Sequence, residues 1–182
     1  MMSEFQLLYT RISHDLAGVS GAVYNGAELL SESPEYLEDA TPVLMDSAKD
    51  LIVRLRFFRQ TFGVPAEKTE DVTALYLKSR SNPVDLEGTC ETQIQKMLAM
   101  TLADLMIWGG SIVATENRLV GQFSRISESV SLLKEIFEGK TDCIAEQNIV
   151  ARIAYLSAER ENKYIRITEK SNQLILEVLP KN

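Results

Sequence analysis

Apolar residues recur at steps of three and four early in the chain: Phe5, Leu8, Ile12, Leu16, Val19, Val23 and Leu30. That spacing lays one apolar stripe along a helix. Ser31-Glu32-Ser33-Pro34 interrupts it, and a Glu-rich link, EYLEDA over 35–40, follows. Thr41-Pro42 reads as an N-cap with proline at the first helical position, which opens a second helix. Along it Leu44, Ala48, Leu51, Leu55, Phe58 and Phe62 alternate by four and three, an a/d seam. Gly63 ends this helix, with Pro65 just beyond.

The pattern then changes character. EKTEDVTALYLKS, 67–79, reads as helical, Asn82-Pro83 punctuates, and Val84 to Glu87 suits a short strand. Glu91 to Trp108 is helical again, with Ile94, Leu98, Leu105 and Met106 on one side, and Gly109-Gly110 stops it. Two hairpins follow: SIVA, a TEN turn and RLVGQFSRI, then YIRIT, a KSNQ turn and LILEV. Their alternating Ile165 and Ile167, and Leu174, Leu176 and Val178, have the period of half-buried strands. Helices at about 129–138 and 146–161 lie between the hairpins. This second part is expected to be a layer of helices against an antiparallel sheet, and the whole chain α+β.

Two helices packed only on each other leave much of an apolar stripe in water. A four-helix bundle made from two copies of the chain covers it, so a homodimer is expected. The expected division is a helical hairpin over 1–64 and an α/β sandwich over 65–182.

Composition narrows the chemistry. The chain has 182 residues, 45% of them hydrophobic and 25% charged, enough for a core in an ordinary globular protein. Its net charge of −7 argues against nucleic acid and anionic membranes as partners. Cys90 and Cys143 form no CxxC pair, and with one histidine in the chain no zinc site is expected. Both read as reduced thiols of a cytoplasmic protein. No apolar run approaches the roughly 18 residues of a membrane span, and the acidic, helical N-terminus is not a signal peptide.

That one histidine, His14, sits in RISHDLAGVSGAVYNGAELL, residues 11–30. At about 100° per residue it falls opposite the apolar stripe, on an outward strip with Arg11, Gly18, Gly21, Asn25 and Glu28. An interior glycine costs about 0.5–1 kcal/mol relative to alanine, so Gly18 and Gly21, one and two turns beyond the imidazole, call for a reason. Bare backbone beside the ring lets another molecule approach it; close packing within the bundle is the competing explanation. Gly26 lies nearer the stripe, where packing is the simpler account. Asp15, next in sequence, either orients the imidazole and fixes its tautomer or is a solvated surface acid.

These residues carry a resemblance. RISHDLAGVSGAVYNGAELL followed by SAKDLIVRLRFFRQTFG, 47–63, resembles the histidine phosphotransferases of the ChpT type from alphaproteobacteria. The resemblance implies a dimerisation and phosphotransfer hairpin joined to a lobe shaped like the ATPase domain of sensor histidine kinases. It implies a role in two-component phosphorelays, passing phosphoryl from the receiver domain of a hybrid histidine kinase to response regulators. On this resemblance His14 accepts the phosphoryl group, Asp15, Gly18, Asn25 and Glu28 flank it, and Arg54, Phe57, Phe58 and Arg59 come from the second helix. Arg54, Arg56 and Arg59 either meet the receiver or form a solvated face, and Phe57 either docks the receiver or packs between domains. No cofactor is expected, Mg²⁺ being supplied by the receiver.

A working ATPase lobe needs an asparagine on its metal-binding helix and an Asp-x-Gly-x-Gly loop. The helix from Glu91 to Trp108 holds no asparagine, the loop motif is absent, and Asp104 is a single carboxylate. A nucleotide-free lobe is therefore expected. The competing readings are an ATP-dependent autokinase, which these gaps disfavour, and a dimeric adaptor that binds response regulators without chemistry.

Overall fold

The computed structural model describes residues 3–64, 70–127 and 129–181. The expected Pro65 stop and residues 67–69 of the helix expected from Glu67 lie outside them, as does the start of the division at 65.

Helix α1 runs Glu4–Glu32. It opens with a capping box: the Ser3 hydroxyl accepts the Gln6 N–H, and the Gln6 side chain accepts the Ser3 N–H at 2.8 Å. A 3-10 turn, Pro34–Tyr36, leads into α2, Leu37–Phe62, which lies along α1 as an antiparallel hairpin. The expected start at Thr41-Pro42 is corrected here: the Glu-rich link is helical and Pro42 sits inside α2. Proline forfeits one backbone bond near the helix start, and the Thr41 hydroxyl bonds the Leu37 carbonyl beside it. Gly63 caps α2 as expected, its N–H bonding the Arg59 carbonyl at 3.0 Å.

The hairpin's apolar pattern is only half used. Leu8, Ile12, Leu16, Val19 and Val23 are partly buried, but Phe5 is 77% exposed. Along α2 the seam is sound at Leu44, Ala48, Leu51 and Phe58 and fails at Leu55, which is 50% exposed, and Ile52 and Met45 earlier on the helix are exposed too. Gly26 does pack as expected, a Cβ there falling 3.3 Å from Leu44.

The remaining elements form one α+β body against the lower part of the hairpin. They are α3 Thr73–Lys78, β1 Val84–Glu87, α4 Gln93–Leu105, β2 Gly110–Thr115, β3 Arg118–Gln122, α5 Val130–Phe137, α6 Ile149–Arg160, β4 Lys163–Lys170 and β5 Gln173–Pro180. A 3-10 turn, Glu146–Asn148, precedes α6. The sheet order is β1-β2-β3-β5-β4. It is mixed, not antiparallel throughout: β1 pairs parallel to β2, Val84 opposite Gly110, because α4 carries the chain back across the sheet between them. The two expected hairpins are β2–β3 and β4–β5, both antiparallel.

Helix α4 is the heart of this body. Ile94 through Ala103 are all buried, so the single apolar side read from the sequence understates a helix enclosed by the sheet, α6 and α2. Gly109 and Gly110 end the stretch at φ +77° and +158°. A side chain on Gly110 would collide with the Gln122 carbonyl across the β2–β3 ladder. Lys96 is buried on α4 and bonds Asp71 at 2.6 Å and the Cys90 carbonyl at 2.7 Å. Burial raises the Asp71 pKa, but the hydrogen bonds from Lys96 and Thr73 outweigh it and hold the carboxyl below its ordinary value. Cys90 is fully buried, its thiol pushed up to about 12 by burial and by the Asp71 charge. Among the described residues no helix is long and apolar enough to cross a membrane.

Candidate functional site

His14 lies midway along α1, and its side chain is 69% exposed. The strip it belongs to is not all outward, however. Its lower end is covered by the α+β body: Glu4 bonds Arg152 of α6 at 2.8 Å, and Arg11 bonds Asp104 of α4 at 2.9 Å. Arg11 is therefore a junction residue, not part of the open face expected for it. His14 stands at the edge of this contact, and the strip runs clear beyond it. Among the described residues, no atom outside the neighbouring helix backbone comes within 4 Å of where a Cβ on Gly18 or Gly21 would stand, so packing among them does not explain these glycines. Asn25 and Glu28 are exposed further along, Glu28 accepting the Tyr24 hydroxyl at 3.2 Å.

The carboxylate at the ring is not Asp15. His14 Nδ1 stands 2.8 Å from Glu146 Oε1, on the 3-10 turn before α6. Asp15 points to the junction, with its carboxylate 3.2 Å from Arg54 and accepting the Tyr76 hydroxyl at 3.0 Å. It is 18% exposed, so it is neither the acid that meets the ring nor a solvated surface group. Adjacent positions on a helix diverge by about 100°, which sends His14 past the edge and Asp15 under it.

Two residues expected to meet the receiver do not face it, and for Phe57 the alternative of packing between the domains holds. Arg54 is buried, donating to the Ser79 carbonyl at 2.7 Å as well as pairing with Asp15. Phe57 has no exposed surface; its ring stacks on Tyr76 at 3.8 Å between centroids. Neither is open to a visiting protein, because the α+β body covers this end of α2. Arg59 and Arg56 remain exposed. Since Gly26 meets Leu44 and Asp15 meets Arg54 across the hairpin, Arg56 lies at the level of His14 and Arg59 at that of Arg11.

The buried and half-buried groups of this junction form one chain of charge and hydrogen bonds. Arg54 holds Asp15, Asp15 accepts from Tyr76, Arg80 donates to the Tyr76 oxygen at 3.2 Å, and Asp104 receives both Arg80 at 2.6 Å and Arg11. It ties α1 and α2 to α3, to the segment after it and to α4. Burial pushes the Tyr76 phenol well above its ordinary pKa, and the Asp15 and Asp104 charges add to this against the opposing Arg80 charge. The phenol thus stays protonated and keeps donating. Burial disfavours the Arg80 charge, but the Asp104 carboxylate, by its charge and its hydrogen bond, overcompensates with the Asp15 charge and holds it firmly charged. A cavity of about 390 Å³ opens beside this chain, lined by Arg11, Arg80, Asp104, Ser127, Ser129 and Asn148 among others.

Tyr76, Arg80 and Glu146 carry no signal in the sequence, since they come from three separate segments and meet only through the fold. Asp104 stood out only as a lone carboxylate. Among the described residues no group of three or more His, Cys, Asp or Glu is placed to hold a metal ion.

No family model matches the chain. The protein phosphotransferase ChpT of Brucella abortus (strain 2308) is 30% identical over 114 residues, 58% of this chain and 54% of that protein. The chain thus spans about half the length of the curated relative it matches. A solved structure described as a bacterial phosphotransferase superposes with a TM-score of 0.71, covering 98% of each chain at 23% identity. At that identity the likeness shows a shared fold. The resemblance carried by the two hairpin motifs is therefore met again in an alignment and in a fold: this chain resembles the ChpT-type phosphotransferases.

Proposed function

We propose that this chain is a histidine phosphotransferase of a phosphorelay, with His14 as the residue that carries the phosphoryl group. The observation that carries the reading is an exposed imidazole on a rigid helix, followed by two glycines whose flank is open. A receiver domain approaching along Gly18 and Gly21 meets backbone instead of side chains, so its aspartyl phosphate can come within bonding reach of the ring.

The lone pair of the ring nitrogen attacks phosphorus in line, the bond to the receiver's aspartate oxygen breaks, and the carboxylate leaves. A response-regulator aspartate reverses these steps and takes the group. The receiver brings Mg²⁺ and its own cationic side chain, so the present protein supplies position and a nucleophile. The donor is the receiver of a hybrid histidine kinase, and the setting is cytoplasmic. Asn25 and Glu28, exposed on the same strip beyond the glycines, and Arg59, exposed on α2 at the level of Arg11, are proposed to meet the receiver, with Arg56 exposed at the level of His14.

We further propose a homodimer, the hairpins pairing as a four-helix bundle. Phe5, Tyr9, Met45, Ile52 and Leu55 support it, each at least half exposed in the single chain and otherwise without a reason to be apolar. The α+β body, residues 65–182, is proposed as a kinase-like lobe that binds no nucleotide. In support, α4 lacks asparagine and its one carboxylate, Asp104, is held by two guanidinium groups.

Incubation with a phosphorylated receiver tests the reading. Label is expected on the wild type, none on His14→Ala, and none from ATP alone. Receiver binding without any transfer would make the chain an adaptor instead, and label from ATP would make it a kinase.

A further inference from the structure

We infer that Glu146 is the positioning residue of the phosphotransfer site: from the body outside the hairpin, it holds the His14 imidazole in the tautomer that attacks. This rests on the proposed role of His14 and names a partner for it that no motif contains.

Position is the first argument. Glu146 Oε1 stands 2.8 Å from His14 Nδ1, at ion-pair distance, and with the carboxylate facing Nδ1, Nε2 is the nitrogen left to a visitor. A carboxylate accepts a proton and donates none, so beside a neutral imidazole it favours the form with hydrogen on Nδ1 and the lone pair on Nε2. That is the form a phosphoryl acceptor requires.

Rigidity is the second. Glu146 sits on a turn braced from within. The buried Asn148 side chain accepts the Ala145 N–H at 2.8 Å and donates to the Cys143 carbonyl at 2.8 Å. The Asn148 N–H bonds the Ala145 carbonyl at 3.1 Å, and α6 follows directly. The chain of bonds from Arg54 to Arg11 fixes α1 against the same body. Both partners are therefore placed by packed structure before any receiver arrives, as a positioning contact needs.

The balance of charge is the third. When Nε2 bonds to phosphorus and the receiver's carboxylate leaves, the ring still holds its Nδ1 proton and becomes cationic. Glu146 faces that charge, and on transfer to the acceptor the ring returns to its neutral state with the same proton. Asp15 cannot substitute, because Arg54 and Tyr76 occupy its oxygens.

One histidine in the chain makes the test direct: a sample of these 182 residues with nitrogen-labelled histidine shows a single imidazole, whose two nitrogen shifts report its tautomer. Wild type, Glu146→Ala and Glu146→Gln are compared by nitrogen NMR and by the rate of transfer from a phosphorylated receiver, with circular dichroism to confirm folding. The wild type is expected to favour hydrogen on Nδ1. Glu146→Ala should lose that preference and slow about tenfold, the scale of one charge-assisted hydrogen bond partly screened by water. Glu146→Gln, whose carbonyl oxygen still accepts from Nδ1, should keep the tautomer and lose only part of the rate. A rate that falls with the tautomer unmoved, or a tautomer that moves with the rate intact, overturns the positioning role while leaving His14 as acceptor. A wild type that takes no phosphoryl group removes both readings.

Discussion

Asp104→Ala strikes the junction between the hairpin and the body at a carboxylate shared by two guanidinium groups. One carboxylate oxygen there accepts from Arg80 at 2.6 Å and from Arg11 at 2.9 Å. Asp104 and Arg80 are 16% exposed and Arg11 22%. A hydrogen bond to a charged group contributes about 1.5–3 kcal/mol net. Removing one partner of a fully buried ion pair costs about 3–5 kcal/mol. Two guanidinium groups would be left facing each other, but water reaches part of each, which lowers the cost. The expected loss is about 2–4 kcal/mol, or about 5–12 °C in Tm for a chain of this length. Urea unfolding at one fixed protein concentration measures it, since a dimer's stability varies with concentration. Arg11→Ala should cost clearly less, because Arg80 keeps its partner. An Asp104→Ala protein within about 0.5 kcal/mol of wild type would refute the reasoning, as would an Arg11→Ala protein equally destabilised.

Gly18→Ala and Gly21→Ala should each stabilise the fold by up to about 1 kcal/mol, since helix propensity rises where nothing crowds a Cβ. Transfer from the receiver should slow in both, and kinetics at wild-type level would deny the open flank its role. Ile52→Glu should shift the protein to a monomer in sedimentation while its helix content persists; an unchanged mass would remove the proposed bundle. In acid, Asp71 sets a defined window. Its folded pKa lies below the unfolded value of about 3.9, so its contribution is complete above that pH and is lost as pH falls through the lower folded value. Asp71→Asn should flatten the acid limb of a stability profile below about pH 4, and a limb identical to wild type would show that the Lys96 pair does not contribute.

Residues three and four apart announce a helix locally, and so the hairpin, its break at Ser33 and its stop at Gly63 were legible from the chain. Strand hairpins with short turns are legible for the same reason. The parallel β1–β2 pair was hidden although its cause was in view, because a strand, a long helix and a strand in succession imply a crossover. The start of α2 misled because proline marks a first turn only statistically. At the site, periodicity located His14 on the face away from the stripe, and the open flank of Gly18 and Gly21 agrees with it. It could not reveal that a second body covers that face up to Arg11. For the same reason it could not choose between a receiver contact and packing for Phe57, and neither reading it offered for Arg54 or for Asp15 was the buried ion pair the two form. Glu146 is 132 positions from His14, the difference between 146 and 14, and no local pattern reports a meeting at that range.

The most direct trial of the account is to locate the phosphoryl group after reaction with a phosphorylated receiver. Mass spectrometry of the digested protein should find it on the peptide containing His14, lost in acid and kept in base, as a bond from phosphorus to nitrogen requires. A phosphoryl group stable to acid, one carried on any other peptide, or none while the receiver still binds would contradict it.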